Sequence, residues 1–226
     1  VWLLGDADPL ESLCVEAGYV SIHAVREADV RFGETVAVFG LGAIGLIAVQ
    51  MAYRSGAGRV IAVDPLENRR AWALEHGADL ALDPTSDDAP LRIHEATGGA
   101  GADIVIEASG SYAALESAIK STRIRGTVSA AGFYQGEAKQ VWFGREFHHN
   151  RLQMIVPHGC GWGHEPRDYP RWDEDRAYRT MIDMLQRGRL NLSGLIDPLV
   201  TLDEAPDVWR RIENEPGTVI KYGVKF

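Results

Sequence analysis

The chain has 226 residues, 46% of them hydrophobic and 24% charged, with a net charge of -9 spread along its length. Such a length buries a substantial core without staples, and dispersed acidity argues against a reader of nucleic-acid phosphates, which presents clustered Lys and Arg. No apolar run approaches the ~18 residues of a bilayer span, and two distant cysteines, Cys14 and Cys160, with no CxxC pair, exclude both a disulfide framework and a four-cysteine zinc site.

The chain opens at Val1, without methionine, in a segment that reads like mid-protein, so an N-terminal portion is expected to be missing. A helix over Leu13–Ala28 leads into Val36-Ala37-Val38-Phe39, which is apolar on consecutive residues and so reads as a strand buried on both faces. Val60–Val63, Ile104–Ile106, Val128–Ala131 and, more loosely, Leu152–Val156 repeat the theme. Helices are predicted between them at Ala43–Ser55, Pro65–His76, Asp88–Thr97 and Tyr112–Thr122, with Pro65 in a first helical position and Gly77 as a stop. Strand and helix in alternation imply right-handed crossovers, and hence an α/β, doubly wound parallel Rossmann sheet.

After Pro157 the texture changes. His158–Trp172, rich in Gly, Pro and aromatics, reads as a long loop, followed by a helix at Asp173–Arg187, a turn around Leu192–Pro198, a helix at Leu202–Asn214 and a strand at Thr218–Phe226. This tail has too little apolar surface for its own core and is expected to dock on something else. Trp162, Trp172 and Trp209 are expected to pack it down.

The sharpest motif is Gly40-Leu41-Gly42-Ala43-Ile44-Gly45, between a buried-type strand and an apolar helix. Gly40 permits the tight turn, Gly42 lets a pyrophosphate approach the backbone, and Gly45 allows close helix–strand packing. The helix that starts here aims its free N–H groups and positive dipole end at the phosphates. Asp64 follows 24 residues after Gly40, at the end of the second strand. A carboxylate there accepts the hydroxyls of an adenosine ribose and repels a 2′-phosphate, which favours NAD over NADP. The bland alternative is a glycine turn that merely joins strand to helix, with Asp64 as a cap.

These residues, with Gly33–Phe39, Val60–Pro65, Ala102–Gly110 and the closing Ile220–Val224, resemble the medium-chain dehydrogenase/reductase superfamily, in particular its zinc-type alcohol and polyol dehydrogenases. The resemblance runs from about Leu13 to the end. It implies that Arg69 packs near the adenosine ribose and that Ser109-Gly110 borders the cofactor. Ala131-Gly132 and Val156–His158 would address the nicotinamide carboxamide, and Lys221 would reach the pyrophosphate. For Arg69 and Lys221 a solvated surface charge is the alternative. The resemblance also implies a GroES-like catalytic barrel that precedes the Rossmann unit and carries most zinc ligands, a stretch missing here. The chain then divides into residues 1–17, a remnant of that domain; 18–157, the NAD-binding domain; and 158–226, a segment returning to the incomplete catalytic domain. Glu16 looks like the polyol-dehydrogenase Glu at or beside the metal, with a helix-surface carboxylate as the alternative, and His23 reads as a packed structural histidine.

The implied function is the cofactor-binding part of an NAD(H)-dependent, zinc-type oxidoreductase moving hydride between an alcohol or polyol and the nicotinamide, with a small alcohol or carbonyl as partner. A non-catalytic nucleotide-sensing module and a zinc-free reductase of the same superfamily are the alternatives. A homodimer or tetramer joined through the sixth strand, and a cytoplasmic location, are further expectations. His158, Cys160 and His164 have ligand-type side chains, but their glycine-rich loop lacks a completing carboxylate or second cysteine. The basic stretch Arg145, His148, His149 and Arg151 reads as a solvated face, and Ser109-Gly110-Ser111 lacks the context of a nucleophile elbow.

Overall fold

The computed structural model describes residues 2–158 and 166–226. In chain order, α1 (Val15–Glu27), entered through a 3-10 turn at Glu11–Cys14, precedes β1 (Thr35–Phe39), α2 (Ala43–Arg54), β2 (Arg59–Val63), α3 (Glu67–Glu75) and β3 (Leu80–Leu82). Then come α4 (Ala89–Ala96), β4 (Ala102–Glu107), α5 (Tyr112–Ser121), β5 (Thr122–Ala130) and β6 (Gln153–Ile155). The last elements are α6 (Glu174–Gln186), β7 (Ile196–Thr201), α7 (Ala205–Asn214) and β8 (Lys221–Lys225).

The six strands β1–β6 form one sheet in the order β3-β2-β1-β4-β5-β6, and every pairing is parallel. This is the doubly wound arrangement expected from the alternation of apolar runs. Strand geometry sends successive side chains to opposite faces, and the core divides accordingly. Val36, Val38, Val60 and Ala62 belong to one cluster with Leu46 and Ile47 of α2. Ala37, Phe39, Ile61 and Val63 belong to the other, with Leu115 and Ile119 of α5. Polar side chains close three of the helix starts: Asp88 accepts from the Leu91 N–H at 3.1 Å, Ser111 from the Ala114 N–H at 3.4 Å and Asp173 from the Arg176 N–H at 2.8 Å.

The tail docks on α1, as its composition implied. Tyr178 stacks between Trp2 and Tyr19 at centroid separations of 4.1 and 4.3 Å, and Met181 lies against Gly18. Trp172 is buried beneath the guanidinium groups of Arg26 and Arg176, 3.7 and 4.8 Å from its ring. Gln50 of α2, itself buried, grips the backbone of Asn191: its Nε2 donates to Asn191 O at 2.7 Å and its Oε1 accepts from Asn191 N–H at 3.1 Å.

Several expectations need correction. The third helix starts at Glu67 rather than Pro65, because Leu66 is extended and its N–H is held at 2.9 Å by the Asp64 carboxylate. Short β3 escapes the apolar-run reading. The expected turn around Leu192–Pro198 gives way at Ile196 to strand β7, paired in parallel with β8. Trp209, expected to pack the tail, is exposed, while Trp162 lies outside the described residues.

Candidate functional site at the glycine turn

The strands run outward from β1 through β2 to β3 on one side and from β4 through β5 to β6 on the other, so the crossovers diverge between β1 and β4 and leave a crevice at the carboxyl ends of these strands. The glycine turn sits at this point. Gly40, with φ of 84°, occupies a conformation that glycine adopts without strain, and a Cβ on it would lie 2.6 Å from the Ser109 nitrogen. A Cβ on Gly45 would collide with the Gly40 carbonyl oxygen. Gly42 differs from both, because a Cβ there would meet nothing within 4 Å. Two of the three glycines are thus required by packing, and the middle one faces open space.

That space lies at the start of α2. No side chain caps this helix, and among the described residues no acceptor meets the N–H groups of Gly42, Ala43 and Ile44. Free amides at a helix start, with the positive end of the peptide dipoles behind them, form an anion site. Leu41 is excluded from it: its side chain is buried and its N–H donates to Asp64 Oδ2 at 2.7 Å.

Asp64 is only 4% exposed and ties the turn together. Oδ2 holds the Leu41 N–H and Oδ1 the Leu66 N–H, while Arg69 Nη1 stands 3.8 Å from Oδ2. The buried Arg69 Nε has no protein partner. Arg70 donates to the Asp64 carbonyl at 2.7 Å and pairs with Asp83 at 3.3 Å, fixing the end of β2. Beside Asp64 opens a cleft of about 420 Å³, lined by Gly40, Asp64, Leu66, Arg69, Ser109 and Ser111 among others. The donor set and open cradle fit an adenine dinucleotide, with ribose hydroxyls at Asp64 and diphosphate at the amides.

The far wall depends on a residue that the sequence reading did not single out. Glu107, fully buried at the end of β4, accepts from the Ser109 N–H at 2.8 Å and the Gly110 N–H at 3.2 Å. It also accepts from the hydroxyls of Ser109 and Tyr134. Its main-chain carbonyl takes the N–H groups of Ala131 and Gly132 at 2.8 and 2.9 Å. Burial, followed by the nearby Glu107 charge, pushes the Tyr134 phenol far above its usual range and keeps it a donor. The available signal was an acid directly after the apolar run Ile104–Ile106. Ser109 and Gly110 at its carboxylate, and Ala131 and Gly132 at its main-chain carbonyl, are therefore brought together around one residue. Val156 is exposed just past β6 and its carbonyl accepts from the His158 N–H at 2.9 Å. Lys221 pairs in register with Ile196, and its charge lies close enough to Cys14 to favour the thiolate. Among the described residues no hydrogen bond or ion pair joins Lys221 to the glycine turn.

The metal question centres on Glu16. It is exposed on the first turn of α1, and Oε2 accepts from the Tyr178 hydroxyl at 2.6 Å. Among the described residues no group of three or more His, Cys, Asp or Glu could hold a metal ion, whereas a zinc site needs three or four protein ligands. His23 is buried edge-on to Tyr19, with Nδ1 3.3 Å from Glu27. Of the His158, Cys160 and His164 constellation, only His158 lies among the described residues.

Comparison with known proteins agrees with this geometry. Residues 43–174 match the family model described as zinc-binding dehydrogenase. The chain belongs to the zinc-binding dehydrogenase family. Among the relatives of this chain, D-guloside 3-dehydrogenase from Escherichia coli (strain K12) is 40% identical over 217 residues, covering 95% of this chain and 61% of its own length. Scyllo-inosose 3-dehydrogenase from Thermotoga maritima is 30% identical, covering 95% and 52% respectively. The fold is shared with 2R,3R-butanediol dehydrogenase from Bacillus subtilis, at a TM-score of 0.81, 24% identity and coverage of 98% and 59%. It is shared too with a structure from Sinorhizobium meliloti 1021 bound to NADP, at a TM-score of 0.77, 26% identity and coverage of 96% and 59%. The chain spans about three fifths or less of the length of these relatives. No helix among the described residues is long and apolar enough to cross a membrane.

Proposed function

We propose that this chain is the NAD(H)-binding part of a zinc-type oxidoreductase that moves hydride between an alcohol or polyol and a nicotinamide. The observation that carries this reading is the uncapped start of α2, open above Gly42 and flanked by a buried Asp64. The amides of Gly42, Ala43 and Ile44 hold the diphosphate, and Asp64 takes the adenosine ribose hydroxyls. Arg69 packs beside that ribose. Ser109, Gly110, Ala131 and Gly132 shape the wall that directs the nicotinamide, and Val156 and His158 extend it. When bound, the nicotinamide supplies the hydride acceptor or donor; these residues orient it and exclude water.

Asp64 selects NAD over NADP, because a 2′-phosphate would sit against its charge. The relatives' names favour a polyhydroxylated alcohol as substrate. Glu16 stands beside zinc only when residues outside this chain complete the ligand set, and Lys221 closes on the diphosphate from the C-terminal side. Residues 18–157 form the cofactor domain, with 1–17 and 158–226 belonging to the catalytic domain. The edge strand β6 joins copies into a homodimer or tetramer, and the site of action is the cytoplasm.

Titration with NADH and NADPH, comparing the wild type with Asp64→Ala, tests this. Charge-assisted hydrogen bonds are worth about 1.5–3 kcal/mol, so NADH is expected to bind roughly 10- to 100-fold more tightly than NADPH, a preference the variant loses. Equal wild-type affinities defeat the NAD assignment, and binding of neither defeats the cofactor reading itself.

A further inference from the structure

The carboxylate of Glu107 is surrounded only by donors: the Ser109 N–H and hydroxyl on Oε1, the Gly110 N–H and Tyr134 hydroxyl on Oε2. Two acceptor oxygens with two lone pairs each match four donors, and no ion pair with Glu107 exists among the described residues. The groups it gathers belong to different walls. Ser109 stands against Gly40 and lines the cleft beside Asp64, whereas Tyr134 belongs to the segment that follows β5. That segment has no slack: a Cβ on Gly110 would lie 2.6 Å from the Phe133 carbonyl oxygen, and one on Gly132 would lie 2.7 Å from Glu107 Oε2.

From this arrangement we infer that Glu107 and Tyr134 are positioning residues for the cofactor. Glu107 fixes both walls of the crevice, and Tyr134, acting through Glu107, fixes only the wall after β5. Neither lines the adenosine cleft itself, and Glu107 reaches it only through Ser109, so their effect is on shape and not on a contact. The inference rests on the NAD(H) reading above and adds a division of labour to it.

Two substitutions separate the roles. Tyr134→Phe removes one donor and leaves the Ser109 bonds intact. Glu107→Gln keeps the shape but turns an amide N–H toward a backbone N–H, either of Ser109 or of Gly110, which cannot reverse to accept. Binding of NADH and of AMP, which carries only the adenosine half, is measured by calorimetry on folded protein well below its melting temperature. Tyr134→Phe is expected to weaken NADH about 5- to 10-fold and to leave AMP within twofold, while Glu107→Gln weakens both ligands. If Tyr134→Phe lowers the melting temperature but leaves NADH affinity at the wild-type value, its role is structural and the inference is overturned. It is equally overturned if AMP weakens as much as NADH in Tyr134→Phe. Wild-type protein that binds no NADH removes the reading beneath it, a result distinct from either. Should Glu107→Gln fail to fold, Tyr134→Phe decides alone.

Discussion

Three glycines share one motif but answer to different forces. At Gly45 the missing side chain makes room for the Gly40 carbonyl, and at Gly40 for Ser109, so both are demands of the folded chain itself. At Gly42 nothing within 4 Å forbids a methyl group, and the backbone, with φ of -68° and ψ of -175°, suits any residue. Under the proposed cofactor reading, the demand at Gly42 comes from the ligand. Gly45→Ala is therefore expected to destabilise the fold by about 3 kcal/mol or more, since backbone meets backbone and neither side can swing away. Gly42→Ala is expected to move the melting temperature by less than about 2 °C while weakening NADH at least ~10-fold. Thermal melts and NADH titrations of the two variants decide it. A large stability loss in Gly42→Ala, or unchanged NADH binding, would show that the middle glycine serves the fold.

At the scale of elements, the seam between α2 and the C-terminal segment is polar at its centre. Gln50 faces inward from an otherwise apolar helix because the Asn191 backbone needs both a donor and an acceptor there. Gln50→Leu preserves bulk but leaves two main-chain groups unpaired, at about 1–3 kcal/mol each in a buried setting. A loss of roughly 2–4 kcal/mol in urea unfolding is expected, and a loss under 0.5 kcal/mol would mean that water or rearrangement replaces the clamp. Nothing in the sequence marks this residue. The alternation of Val36, Ala37, Val38 and Phe39 between two faces was legible, because a strand buried on both sides must be apolar throughout. Three-residue β3 was not, being too short to show a period, and Pro198 inside β7 reads as turn punctuation. The start of α3 was misplaced because a local side-chain turn, the Asp64 carboxylate holding the Leu66 N–H two residues on, keeps Leu66 extended and outweighs the preference of Pro65 for a first helical position. The glycine turn and Asp64 could be read from spacing, while the role of Glu107 could not, since its four donors come from three separate positions in the chain.

At the scale of the whole molecule, the N-terminal 3-10 turn, the core and strand β8 meet around Cys14. Its thiol is fully buried, and burial raises its pKa from 9.0 to about 11. Lys221 pulls the other way and Glu11 reinforces the rise, but desolvation dominates. The sign of the pH effect follows. In the unfolded chain the thiol loses its proton near pH 9, whereas in the folded chain it keeps it to about 11. The native state therefore binds more protons across that window, and stability present below pH 9 falls as pH rises through it. Two pKa units correspond to at most about 2–3 kcal/mol. The buried Tyr134 and the Tyr178 phenol that donates to Glu16 are also held protonated, so they add to the alkaline loss above pH 10. Cys14→Ala separates the contributions: it removes a thiol and leaves a pH-independent packing cost, so only the slope reports the titration. Urea unfolding at pH 8, 9, 10 and 10.5 is expected to show the wild type losing about 1–2 kcal/mol more than Cys14→Ala between the first and last points. Parallel curves for the two proteins would mean that the thiolate finds solvent or a cation in the native state, and that Lys221, rather than burial, governs this junction.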